Sequence, residues 1–231
     1  MIVAIMQPYF FPYLGYYQLA ASVNHFVFLD DVHFIRRGHI HRNRILLDGQ
    51  PFRFVLPVSG ASQNSRINQL WFNGDHKRFL QQLRHAYHRA PFFDVVYALV
   101  ESVCQQPQQN VARVCANSIT RVFDYLGKPL QVSWASSVES EQRGQGRILE
   151  LCRHWHADTY HNASGGCHLY DCATFNAHGI ELRFVRGSFP AYYQVGRQPF
   201  VPELSMIDVL MNNSIESVNQ MLALGVLEQA A

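Results

Sequence analysis

Short apolar runs alternate with one helical segment at the start of the chain. Ile2–Met6 is rich in β-branched residues, which is typical of a strand buried on both faces. Gln7-Pro8 ends this strand, because proline donates no ladder hydrogen bond. A helix is predicted over residues 15–23, and a second apolar run over residues 26–29 ends at Asp30-Asp31. Two strands joined by a helix are expected to lie parallel in one sheet.

An antiparallel hairpin is predicted next. Asp48-Gly49 separates strand-like segments at residues 44–47 and 51–56, and both turn residues tolerate the positive φ that a two-residue turn needs. Helical patterns then cover residues 75–88, 92–106 and 110–126. Gly127 and Pro129 follow the last of these helices, as expected of a helix stop.

Strands and helices alternate in the second half of the chain. Strands are predicted at residues 130–134, 159–161 and 180–185, and helices at residues 146–156 and 169–177. This alternation favours further parallel crossovers. The predicted fold class is therefore α/β. We expect an open, mainly parallel sheet of about five strands with helices on both faces, plus an antiparallel hairpin insertion near residues 44–58.

Composition places this pattern in one α/β domain over residues 1–231, with the hairpin insertion at about 34–60 and a helical segment at about 75–126. Charged residues make up only 16% of the 231 positions and the formal net charge is +2, which argues against nucleic acid as a partner. The five cysteines are odd in number and form no CxxC pair, which favours free thiols in a reducing compartment. With no apolar stretch of membrane-spanning length and no secretory signal, we expect a cytoplasmic protein.

Polar residues at predicted strand ends are the first candidates for function, because open parallel sheets bind ligands outside the carboxyl ends of their strands. The amide of Gln7 can pair with hydroxyls or phosphate oxygens of a ligand. Asp30 and Asp31 are candidate catalytic residues that would orient or deprotonate a substrate group, although a turn or a helix cap is an equally good interpretation of either one. Adjacent side chains in an extended segment diverge, so only one of the two is expected to face the site.

Basic and small residues supply candidate binding groups. Arg42, Asn43 and Arg44 form a run whose guanidinium groups suit a phosphate or a carboxylate. Asn162, Ser164 and Gly166 follow a later strand, where backbone donors of a small-residue loop can approach an anion closely or simply form a turn. His39 and His41 have no third ligand at the spacing of a structural zinc site, so no metal is predicted.

The chain resembles the WbqC-like family along nearly its whole length. The resemblance depends on several motifs in order: QPYFFPYLGYYQL, LDDVHF, HRNRI, AYHRAPFF, TYHNASGG, YYQ and PFVPELSMIDVL. These motifs also contain Tyr16, Tyr193, Gln194 and Asp208, which we add as candidate substrate-binding residues. Membership would imply a place in bacterial surface-polysaccharide biosynthesis of the O-antigen type, beside enzymes that make amino sugars.

Three functions fit these observations. The first is an enzyme that modifies an amino sugar or a nucleotide-linked sugar by acyl or aminoacyl transfer. The second is nucleotidyl transfer of the kind performed by the HIGH-motif α/β folds, although the signature histidines of that motif are missing. The third is a non-catalytic protein that binds a sugar nucleotide or assembles with pathway partners. All three predict a small-molecule sugar or nucleotide-sugar ligand, and none indicates a cofactor or an oligomeric state.

Overall fold

A computed structural model describes residues 1–62, 64–196 and 199–229. Within these residues the chain forms ten strands: β1 (Ile2–Met6), β2 (His25–Phe28), β3 (Arg42–Leu47), β4 (Gln50–Val55), β5 (Val58–Ser59), β6 (Trp71–Phe72), β7 (Val132–Trp134), β8 (Thr159–Ala163), β9 (Glu181–Arg186) and β10 (Val226–Gln229). The same residues form eight α-helices: α1 (Leu14–Ala21), α2 (Lys77–Tyr87), α3 (Phe93–Cys104), α4 (Val111–Tyr125), α5 (Gly144–His154), α6 (Cys172–Ala177), α7 (Met206–Asn212) and α8 (Ile215–Leu222).

Six of these strands form the central sheet, in the order β10-β9-β8-β1-β2-β7. Every neighbouring pair is parallel except β9 and β10, which are antiparallel. The prediction of an open, mainly parallel sheet with adjacent first and second strands is confirmed. All five predicted core strands are present, and β10 adds a sixth at one edge.

Helices cover both faces of this sheet, as predicted. Val3, Ile5 and Val27 face a core that includes the apolar residues of α5 and α6. Ala4 and Phe26 face the opposite side, in the larger core that contains α1, α4, α7 and α8. This two-residue alternation of buried side chains is the expected result of a strand that is apolar on both faces.

The antiparallel hairpin is also confirmed. Strands β3 and β4 pair with Leu47 opposite Gln50, and the turn residues Asp48 and Gly49 have φ of 50° and 69°. The same register places Arg44 directly opposite Arg53. Asn43 and Ile45 are buried on one face of β3, whereas Arg44 is exposed on the other.

The sequence pattern differs from the structure in several short elements. The strands β5, β6 and β10 have two to four residues and were not predicted, because such short segments show no clear alternation. The helix predicted over residues 169–177 begins only at Cys172. Asp171 caps it by accepting a hydrogen bond from Thr174 N at 2.9 Å, and the residues just before it form a separate 3-10 helix, Ser164–Leu169. No helix among the described residues is long and apolar enough to cross a membrane.

Candidate functional site

A cleft of about 760 Å³ opens at the carboxyl ends of β1 and β8. From β1 the chain builds the sheet outwards through β2 to β7, then returns to the other side of β1 to form β8 and β9. The strand order therefore reverses between β1 and β8, and open α/β sheets bind ligands at such a switch point. Met6 and Gln7 line the cleft after β1, and Ala163 and Gly165 line it after β8.

Four arginines line the side of the cleft formed by the hairpin and the loop before it: Arg37, Arg42, Arg44 and Arg53. Arg42 and Arg44 share one face of β3 because side chains alternate along a strand. Arg44 and Arg53 are cross-strand partners, and like charges in that position repel each other. Burial, together with the charges of Arg53 and Arg37, lowers the pKa of Arg42.

These guanidinium groups have no carboxylate partner. Among the described residues, six ion pairs have an N–O distance within 4.0 Å, and none of them includes one of the four arginines. Arg42 donates to backbone oxygens instead, with Nε 2.5 Å from the Gly38 oxygen. The cleft therefore presents a concentration of uncompensated positive charge, which favours an anionic ligand.

The loop after β1 forms the floor of the cleft. Tyr16 lies in the cleft and its hydroxyl donates to the backbone oxygen of Gln7 at 2.9 Å. The side-chain amide of Gln7 has no hydrogen-bond partner among the described residues and remains available to a ligand. Tyr9 packs against His39 with ring centroids 5.7 Å apart, and burial raises the pKa of the Tyr9 phenol, which stays protonated at neutral pH.

Three side chains from distant elements hold this loop at Phe11. The Phe11 oxygen accepts hydrogen bonds from Asn43 Nδ2 at 2.6 Å and from Ser205 Oγ at 2.7 Å, and its N–H donates to Ser118 Oγ at 2.9 Å. Phe11 has a φ of 40°, a conformation that a bulky residue adopts only when its surroundings impose it. Asn43, predicted to bind substrate, therefore also fixes the loop that carries Gln7 and Tyr9.

Asp30 and Asp31 lie at the carboxyl end of β2 but do not line the cleft. Asp30 is 2% exposed and accepts hydrogen bonds from Ser136 N at 3.0 Å and from Ser136 Oγ at 2.7 Å. Asp31 pairs with the buried Arg147 at 2.8 Å. Both carboxylates are thus engaged with the segment after β7, and neither is positioned to act on a ligand in the cleft.

The small-residue loop after β8 contributes residues to the cleft other than the predicted ones. Ala163 and Gly165 line the cleft, whereas the predicted Asn162, Ser164 and Gly166 do not. Asn162 is buried, and a Cβ on Gly166 would lie 2.6 Å from Asn162 Nδ2. A side chain at position 166 would therefore force the amide of Asn162 to move.

The last group of predicted residues lies inside the protein or on its outer surface. Asp208 is fully buried and accepts hydrogen bonds from Tyr87 OH at 2.6 Å, Tyr192 OH at 2.7 Å and Gln194 Nε2 at 2.9 Å. Burial raises the pKa of this carboxyl group. Tyr193 is 66% exposed and lies outside the cleft, whereas its half-buried neighbour Tyr192 contacts Asp208.

Sequence reasoning missed several cleft residues, including Tyr13, Arg37, Arg53 and Glu203. Arg53 could have been found, since counting residues outwards from Asp48-Gly49 places it opposite Arg44. Glu203 lies in the motif PFVPELSMIDVL, but it follows no predicted strand and was not singled out. Within the part of the chain that is described, no three histidine, cysteine, aspartate or glutamate side chains are grouped to hold a metal ion.

Comparison with known proteins agrees with the motif order. The model of the WbqC-like protein family matches residues 7–220. The chain belongs to the WbqC-like protein family. The matched region contains every residue of the cleft except Met6.

One curated relative covers the WbqC-like chain almost end to end. The uncharacterized protein Rv1507c of Mycobacterium tuberculosis is 23% identical over 220 residues, which are 93% of this chain and 95% of the relative. No solved structure matches the chain significantly.

Proposed function

We propose that this protein binds a nucleotide-linked amino sugar in the cleft and modifies it by acyl or aminoacyl transfer, as an enzyme of bacterial surface-polysaccharide biosynthesis. The observation that carries the proposal is the set of four arginines at the switch point of the sheet, which have no carboxylate partner in the described part of the chain. Guanidinium groups in this arrangement suit the two phosphates of a sugar nucleotide. The pathway is what membership of the family implies.

The size and the lining of the cleft support a ligand of this class. A volume of about 760 Å³ lies within the range of small-molecule sites, which is roughly 300–1,000 Å³. Gln7 offers a free amide to sugar hydroxyls, and Tyr9, Tyr13 and Tyr16 supply aromatic surface. Gly165 has no side chain, so a ligand can approach the backbone closely on the side of β8.

Asp30 and Asp31 have a structural role in this proposal and do not transfer protons. Their hydrogen bonds to Ser136 and Arg147 hold the carboxyl end of β2 against the segment after β7. Positioning the two substrates in the cleft can supply a large part of the rate enhancement of a transfer reaction without a covalent intermediate. The groups that contact the substrate are then those of the loop after β1 and of the hairpin.

Nucleotidyl transfer is the second candidate, and the strand order favours it. Counting only the parallel strands, the sheet has the order 3-2-1-4-5 of doubly wound nucleotide-binding folds. The loop after β1 lacks their glycine-rich phosphate motif, and the arginines of the hairpin would take over its role. Under this alternative the ligand is a nucleoside triphosphate together with a sugar phosphate.

Calorimetric titration with UDP-glucosamine, UDP and ATP tests the proposal. We expect the UDP ligands to bind, and Arg42→Gln and Arg44→Gln to weaken them by roughly 10- to 100-fold, as for a lost hydrogen bond to a charged group. Arg121→Gln is the matched control, since Arg121 is exposed on α4 and outside the cleft. Equal affinity in all variants would refute the phosphate role of the cleft arginines.

Turnover separates the candidate functions. Incubation with UDP-glucosamine and a panel of acyl and aminoacyl donors, followed by mass spectrometry, should show a sugar nucleotide heavier by the donor group. Pyrophosphate release from ATP or UTP with a sugar phosphate would instead support nucleotidyl transfer. Tight binding of the sugar nucleotide without product from any donor would support a non-catalytic binding protein.

A further inference from the structure

Glu203 is the only carboxylate that lines the cleft in the described part of the chain. It faces the same space as the four arginines but has no N–O distance within 4.0 Å to any of them. Acidic and basic side chains that share a cleft without pairing leave both charges available to a ligand. A ligand that carries an anionic group and a cationic group would satisfy the two charges together.

The backbone around Glu203 is fixed on both sides. Gln194 binds Val201 in both directions, accepting from its N–H at 2.8 Å and donating to its oxygen at 2.9 Å. On the other side, Ser205 N donates to the Arg44 oxygen at 2.8 Å, and Met206 N donates to the Pro12 oxygen at 2.8 Å. The segment that carries Glu203 is thus hydrogen-bonded to the hairpin and to the loop after β1.

The conformation of Glu203 itself is unusual for a residue with a side chain. Its φ is 57°, in the left-handed region that favours glycine, and residues held there cluster at ligand sites. A glycine would relieve this conformation, so the glutamate at this position costs stability. The side chain is exposed and packs into no core, so it is free to contact a ligand in the cleft.

We infer that Glu203 binds the amino group of the sugar while the arginines of the hairpin bind its phosphates. This inference depends on the proposed function and deepens it. Glu203 would select sugars with a free amine over their hydroxyl and N-acetyl counterparts. The carboxylate accepts a hydrogen bond from the ammonium group, and an N-acetylated sugar has neither the positive charge nor the same donors. Glu203 and the arginines together define a bipolar substrate.

The test compares UDP-glucosamine with UDP-glucose, which differ in one amine at the sugar. The wild-type protein should bind the amine at least about tenfold more tightly, as expected for one hydrogen bond to a charged group. Glu203→Gln keeps the size of the side chain and should remove this preference, while the affinity for UDP-glucose changes less than about twofold. A preference that persists in Glu203→Gln would overturn the inference.

Glu203→Gly is a second variant, which separates a loss of the amine preference from a loss of folding. Glycine accepts the positive φ without strain, so this variant should melt at the same or a higher temperature while it loses the preference for the amine. If the wild-type protein binds both ligands equally and Arg44→Gln weakens both, the inference fails and the proposed function stands. If neither ligand binds the wild-type protein, both fail together.

Discussion

At the scale of single residues, Ser205 connects the fold to the cleft. Its hydroxyl donates to the Phe11 oxygen at 2.7 Å and caps α7 by accepting from Ile207 N at 3.3 Å. Ser205→Ala should lower the free energy of unfolding by about 1–2 kcal/mol. It should also weaken the binding of UDP-glucosamine, because the loop that carries Tyr9 loses one of its three anchors.

Ser214→Ala is the control for this prediction. Ser214 caps α8 by accepting from Ser217 N at 3.3 Å and does not line the cleft. Urea denaturation should show a similar loss of stability in the two variants, while calorimetry should show weaker binding only in Ser205→Ala. Equal affinities would mean that the cap of α7 supports the helix alone.

Asp208 is a buried carboxylate held by three neutral donors. Asp208→Asn replaces one accepting oxygen by an amide that faces hydrogen-bond donors, so at least one of these contacts is lost. We expect a loss of about 2–4 kcal/mol in the free energy of unfolding. Asp124→Asn, at an exposed position on α4, should leave it unchanged. An unchanged stability in Asp208→Asn would mean that these hydrogen bonds do not stabilise the fold.

His41 links stability to pH. Burial, assisted by the charge of Arg42, lowers its pKa from 6.5 to about 4. The unfolded chain therefore takes up a proton below pH 6.5 that the folded protein accepts only near pH 4. His41 should therefore lower the free energy of unfolding by about 2–3 kcal/mol as the pH decreases across that window. Above pH 6.5 its stabilising contribution should be fully present.

Denaturation of His41→Gln at pH 7.5 and pH 4.5 measures this contribution. The variant should lose less stability between the two pH values than the wild-type protein does. His88→Gln, which changes an exposed histidine, should retain the wild-type dependence. Identical pH profiles for the wild-type protein and His41→Gln would exclude His41 as a source of acid sensitivity.

At the scale of elements, the hairpin turn sets the spacing of the arginines. Gly49 has a φ of 69°, so Gly49→Ala should cost about 1 kcal/mol and disturb the register that places Arg44 opposite Arg53. UDP-glucosamine should bind more weakly to this variant. Asp48→Asn is the control, because asparagine tolerates the left-handed region and should leave stability and affinity unchanged. Wild-type affinity in Gly49→Ala would mean that the turn does not control the arginines.

Elements that depend on local pattern were the ones that the sequence could predict. The five core strands, the hairpin and the helices α1 to α5 follow from alternation, helical spacing and turn residues within short windows. The strand β10 was missed because four residues after Gly225 carry too little pattern. Its place in the sheet comes from pairing with β9, which no local window contains.

The candidate site depended more on contacts between distant residues. Gln7 and Arg44 were predicted from a strand end and from a basic run, and the structure brings both to the cleft. Asp30 and Asp31 lie at a strand end as predicted, but their partners Ser136 and Arg147 are 106 and 116 residues further along the chain. No feature near the two aspartates indicates that these partners occupy them.

At the scale of the whole molecule, charge is concentrated rather than abundant. A formal net charge of +2 predicts little general attraction for anions, yet four arginines converge on one cleft that holds a single carboxylate among the described residues. The attraction for an anionic ligand is therefore local and should weaken as salt screens these exposed groups. The Debye length falls from about 10 Å at 0.1 M to about 3 Å at 1 M ionic strength.

The salt dependence of binding tests whether the cleft arginines attract the anionic ligand. Raising KCl from 0.05 M to 0.5 M should weaken UDP binding by about tenfold or more in the wild-type protein. Uridine, which has no phosphates, should show little change, so the difference between the two ligands isolates the electrostatic part. Arg44→Gln should reduce the salt dependence and Arg121→Gln should preserve it, because Arg44 lines the cleft and Arg121 does not. Salt-independent UDP binding would mean that the affinity arises from hydrogen bonds and packing, and that the convergence of the arginines does not drive recognition.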